Sequence, residues 1–172
     1  MRLEFKNQLR ALPFVGPVII FFFVMMYLFR FDTPSVLIIL GGIALVFLPV
    51  AFLHMEYFLE NRGKVIEIDN HAISVFENNE RVLHYENSEL EKIVFYKSKT
   101  IDTRSAHQFP TQYYFYVRFI PRGGKKDVVV TSLVTSEYLE EVYNRGVKLE
   151  LKWSVFPSIR YPVVVRAESR PA

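Results

Sequence analysis

The sequence predicts a membrane α-helical hairpin joined to an α+β, mainly β domain: an antiparallel roll or small barrel with one C-terminal helix and room for an extra strand. Three observations predict it. Two runs of nineteen residues near the N-terminus carry no charge, the periodicity turns strand-like after residue 63, and one amphipathic stretch interrupts the strands. The chain has 172 residues, 51% hydrophobic and 16% aromatic, which excludes a disordered or collagen-like chain. It has no cysteine, so disulfides, cysteine-based metal sites and thiol nucleophiles are excluded as well.

Residues 1–10 form a basic arm with Arg2, Lys6 and Arg10. The uncharged runs, residues 11–29 and 35–53, each reach roughly 28 Å as a helix, about one hydrocarbon core. Only Arg30 to Pro34 separates them, so the two spans are expected to run antiparallel. Lysine and arginine gather before the first run and after the second, at Arg62 and Lys64, whereas the loop carries Arg30 beside Asp32. The positive-inside rule then predicts a multi-pass protein of the inner (cytoplasmic) membrane with both termini cytoplasmic. Pro13 and Pro17 lie in the first turns of the first helix, where a missing N–H costs least. Gly41, Gly42 and Ala44 form a small-residue patch for helix packing, within the hairpin or against a second copy. Neither run contains an ionisable residue, which argues against a transporter.

Residues 54–63 read as a linker, able to extend the second helix, and 64–156 as the β domain. Short β-branched and aromatic runs follow at 65–69, 72–76, 81–85, 93–96, 113–120 and 127–134. Turn signals at Asp69-Asn70, Asn78-Asn79, Glu86-Asn87-Ser88 and Arg122-Gly123-Gly124 separate them, and an antiparallel meander is expected. The clearest alternation sets Tyr114, Tyr116, Arg118 and Ile120 against Phe115, Val117 and Phe119. A helix is predicted from Ser136 to Gly146: Ser136 caps it, Glu137, Glu140 and Glu141 suit its positive end, and Leu139, Val142 and Tyr143 share a face. An extra strand is expected at Val147 to Trp153, and residues 157–172 read as a basic tail.

These residues carry a resemblance. The hairpin Ile66-Glu67-Ile68-Asp69 to Ala72-Ile73-Ser74-Val75, the stretch from Arg81-Val82-Leu83-His84-Tyr85 to Leu90-Glu91-Lys92-Ile93, and the strand Val128 to Leu133 leading to the helix at Ser136 resemble a bacterial pleckstrin-homology-like (PH-like) domain. The resemblance covers Lys64 to Gly146, and the layout as a whole is similar to versions with an N-terminal two-helix membrane hairpin. It implies a PH-like roll. The family has no catalytic signature, so the resemblance implies no reaction.

The chemistry is sparse. His54, His71, His84 and His107 are dispersed without metal-ligand spacing, so no metal is expected. No nucleophile elbow, dinucleotide fingerprint or phosphate loop occurs, and no catalytic residue, cofactor or enzymatic activity is expected. From residue 54 onward basic and acidic residues nearly balance, which argues against a nucleic-acid polymer as partner. Local positive charge lies at Arg122, Lys125 and Lys126, and Arg104 and His107 lie in the longest connection. These five are the candidate contacts for an anionic lipid or another ligand.

The expected function is a membrane-tethered, non-catalytic module that binds a protein partner, itself or anionic lipid head groups. The layout is also similar to two-transmembrane, β-rich effectors of bacterial anti-phage systems. That alternative would have the β domain sense a cyclic nucleotide and drive oligomerisation of the spans.

Overall fold

Strand β4 (Leu90–Lys97) is buried on both faces, and the layers of the fold are arranged around it. The computed structural model describes residues 12–29, 33–69, 71–97, 111, 114–134 and 146–170. Two helices, α1 (Leu12–Phe29) and α2 (Thr33–Asn61), precede the strands β1 (Lys64–Ile68), β2 (Ala72–Glu77) and β3 (Glu80–Glu86). After β4 come β5 (Tyr116–Pro121), β6 (Val128–Thr131), β7 (Leu149–Phe156) and β8 (Val163–Arg170).

The strands form two sheets, one of order β1-β2-β3 and one of order β6-β5-β4-β7-β8. The β2–β3 hairpin closes through Asn78 and Asn79, both at positive φ (52° and 67°), the left-handed geometry that two-residue hairpins require and asparagine tolerates. A 3-10 turn, Asn87–Glu89, then carries the chain from one sheet to the other. Its capping box is complete: Glu86 accepts from the Glu89 backbone N–H, and the Glu89 carboxylate accepts from the Glu86 N–H.

The alternation read from the sequence sorts side chains between two cores. Phe115, Val117 and Phe119 face inward with Ile93, Phe95, Leu149 and Leu151, and pack against Ile66, Ile73 and Val75 of the three-stranded sheet. Tyr114 and Tyr116 face the other way, joined by Val94 and Tyr96 of β4. That second face is covered by the end of α2, through Val50, Leu53 and Tyr57. The order of layers is therefore sheet, sheet, helix.

Several expectations are corrected. Of the roll and the small barrel that the sequence left open, the described strands form no closed barrel, and the larger sheet is mixed and not antiparallel throughout, because β7 pairs with β4 in parallel register from Ile93↔Leu149 to Lys97↔Trp153. A parallel neighbour needs a long connection, and β4 ends at Lys97 whereas β7 begins at Leu149. The extra strand is Leu149–Phe156, shifted from Val147 to Trp153. The tail contains β8, antiparallel to β7, so the β domain runs past residue 156. Val163-Val164-Val165 directly after Pro162 favours a strand there. Residues 54–61 do extend the second helix, as its last two turns, and Tyr57 and Asn61 are buried there; Gly63, at φ 74°, turns the chain into β1. The helix expected from Ser136 lies outside the described residues up to Arg145.

Among the described residues, α2 is the helix long and apolar enough to cross a membrane. Its 29 residues extend about 43 Å. Pro49 lies inside it.

Phe95 sits in the middle of β4, buried and stacked on Phe115 at 5.6 Å between ring centroids. Phe95→Ala should destabilise the protein by about 3–5 kcal/mol, read as a lower denaturation midpoint of the full chain in detergent.

Candidate functional site at the helix–sheet junction

Val50, Leu53, Tyr57 and Asn61 recur at spacings of three and four residues and so fall on one face of α2. All four are buried. They meet a layer of tyrosines on the outer face of β4 and β5. Tyr96 and Tyr116 stack at 4.4 Å with planes 12° apart, and Tyr57 meets Tyr114 and Tyr116 edge-on at 5.4 and 6.1 Å. Such pairs add about 0.5–1.5 kcal/mol each beyond area burial.

Polar bonds fix the register of helix on sheet. The Asn61 amide donates from Nδ2 to the Val129 carbonyl at 3.0 Å. Its Oδ1 accepts from the Thr131 N–H at 3.2 Å and from Thr131 Oγ1 at 2.6 Å. Strand β6 is an edge of its sheet, so this amide stands where a further strand would pair. Glu56 accepts from Ser158 Oγ at 3.2 Å and from the Ile159 and Arg160 N–H groups at 3.0 Å each, holding the β7–β8 connection against the helix. Tyr57 donates to the Pro157 carbonyl at 2.7 Å, Tyr116 to the Ser158 carbonyl at 3.2 Å, and Arg118 to the Ile159 carbonyl at 3.0 Å. His54 Nδ1 lies 3.1 Å from the Tyr114 hydroxyl.

The junction is chemically a clamp. Burial pushes the Tyr114 hydroxyl up to about 12, and burial with the adjacent Tyr96 pushes Tyr116 higher still. Neither phenol is suited to proton transfer near neutral pH. Beside the clamp, Phe52, Met55, Glu56, Leu59, Glu60, Ile159 and Arg160 line an open cavity of about 250 Å³. Among the described residues no cluster of three histidines or carboxylates could hold a metal ion.

The sequence-derived candidates lie elsewhere. Arg122, Lys125 and Lys126 are exposed at the β5–β6 tip. Lys125 Nζ is already engaged by Glu89 Oε1 at 2.9 Å, which holds that carboxylate below its ordinary range and the ammonium above its own. The base of this tip adjoins the last turn of α2, with Lys126 and Asp127 bordering a space of about 20 Å³ shared with Glu60 and Lys64. Arg104 and His107 lie outside the described residues. Gly41, Gly42 and Ala44 are exposed on α2, and among the described residues nothing lies within 4 Å of where a Cβ on either glycine would sit. The helix–sheet contact was missed because Glu56, Glu60 and Asn61 give residues 54–61 a polar look. The spacing of Val50, Leu53, Tyr57 and Asn61 was the available signal.

Two outcomes follow. Asn61→Leu should cost roughly 1–3 kcal/mol, because it strips the partner from buried Thr131 groups; urea denaturation of the full chain measures it. The raised Tyr114 value means that stability is full below pH 10 and falls as pH rises toward 12. The loss should be about 1.4 kcal/mol per pH unit for that phenol, as the unfolded chain ionises first, and an alkaline stability series checks the sign.

No curated protein and no solved structure matches this chain. A family model described as PH domain matches residues 2–140, a stretch that takes in both helices and β1 through β6 and leaves β7 and β8 beyond it. With two sheets packed face to face and that match over most of its length, the chain belongs to the PH domain family.

Proposed function

We propose that the chain is a membrane-tethered, non-catalytic PH module whose two helices form a hairpin in the cytoplasmic membrane, with both termini in the cytoplasm. One observation carries the reading: α2 is a single helix, apolar and outward-facing along its first part and buried under the β domain along its last. Leu37, Ile38, Leu45 and Leu48 are all exposed, a surface costly in water and at home in lipid. The basic residues flanking the two uncharged runs support the orientation. PH domains are generally non-catalytic, and the bonds at the helix–sheet junction serve attachment.

The β5–β6 tip is the surface offered to a partner. Arg122 and Lys126 are exposed there, at the end of α2 opposite its apolar part. On this reading the tip points into the cytoplasm, and a protein partner with an acidic surface fits it better than the module's own bilayer.

Membranes from cells expressing the full chain, washed in high salt and then in alkaline carbonate, should retain the protein in the pellet. Release into the supernatant would contradict the tether.

A further inference from the structure

We propose that the β7–β8 hairpin is a second membrane contact, an apolar rim that seats in the bilayer interface beside α2. The inference rests on the membrane-tethered reading and adds to it a surface outside the family match.

Strand β8 is the edge of the five-stranded sheet, and its end of the hairpin is unusually apolar for an exposed edge. Val155 is 65% exposed, Tyr161 74%, Val163 55% and Val165 69%. Natural edges are ordinarily blunted with charge, and three consecutive valines on one need a covering. Their position on the molecule names the covering. Phe156 pairs in register with Val163 and stacks on Phe52 of α2, at 6.1 Å with planes 26° apart. A hydrocarbon core takes about 20 helical residues, so a span starting at Thr33 ends near Phe52. The hairpin rim therefore stands level with the point where the helix leaves the bilayer.

The apolar surface is also continuous from one element to the other. Ala44, Leu45, Leu48, Phe52 and Met55 of α2 share an open groove with Phe156. Around the valines the chemistry becomes that of a membrane interface: Tyr161 offers an aromatic ring with a polar tip, and exposed Arg160 and Arg166 flank the run as partners for anionic head groups. Arg166 also bonds Glu168 at 2.7 Å. Two contacts, the helical hairpin and the rim, would together fix the tilt of the module over its membrane.

The chain has no native cysteine, so single labels report cleanly. V163C, L45C and V82C, each carrying a nitroxide in the full chain, are reconstituted into phosphatidylcholine–phosphatidylglycerol vesicles. Relaxation is then compared for oxygen, which enters lipid, and a nickel chelate, which stays in water. Leu45 lies on the exposed face of α2 and Val82 on the exposed part of β3. The expected pattern is oxygen-dominated for L45C, nickel-dominated for V82C, and oxygen-dominated at shallower depth for V163C. Nickel access at V163C equal to that at V82C, with L45C still in lipid, would overturn the rim and leave the tether standing. Nickel access at L45C would overturn both. Protection of V163C from both reagents, with spin–spin broadening that persists in detergent, would mean that a second copy covers the valines and would overturn the lipid assignment.

Discussion

The contact between the last three turns of α2 and the outer face of β4 and β5 is the constraint on which the rest of the arrangement depends. A five-stranded sheet has two faces to cover, and the three-stranded sheet covers one. The other presents Val94, Tyr96, Tyr114 and Tyr116, which the helix buries with Val50, Leu53 and Tyr57. Because those helical residues continue directly into the apolar, outward-facing part of the same helix, the covering of the sheet and the direction of the helix are one structural decision. Asn61 and Glu56 then remove the freedom to slide, the first by bonding the free edge of β6 and the second by gathering the N–H groups of the β7–β8 connection.

Much of this was legible in the sequence where the interactions are local. The alternation along β5 assigns Tyr116 and Phe119 to opposite faces, and both are buried on those faces. The Asn78-Asn79 turn and the six strands of the central domain follow from turn chemistry and β-branched runs. What stayed hidden depends on pairing between distant segments. Nothing in Leu149 to Phe156 states that it will lie parallel to β4, a strand that ends at Lys97; that register is decided by packing Leu149 and Leu151 beside Ile93 and Phe95. The strand β8 was obscured by Arg160, Arg166 and Arg170, which make the tail look solvated, although the valine run states otherwise. The candidate site was legible in part: the basic tip and the alternation that groups Tyr114 with Tyr116 are in the sequence, whereas the helix that covers those tyrosines depends on a contact between distant segments.

Under the proposed function, the arrangement gives a physical account of how a small β domain can be held at a defined place on a membrane. A flexible tether would confine the module and leave its orientation free. On the proposed membrane-tethered reading, a helix that is both span and structural layer transmits its own orientation to the sheet, because the two share buried side chains. On that proposal the exposed tip at Arg122 and Lys126 faces a fixed direction, as a partner of defined geometry requires.

The central claim is that residues 54–61 belong to the folded domain as much as β5 does. Hydrogen exchange of the full chain in lipid nanodiscs tests it most directly. The amides of residues 54–61 should exchange as slowly as those of β4 and β5, opening only with the domain. Fast exchange across 54–61, with β4 and β5 still protected, would make the segment a hinge and contradict the account.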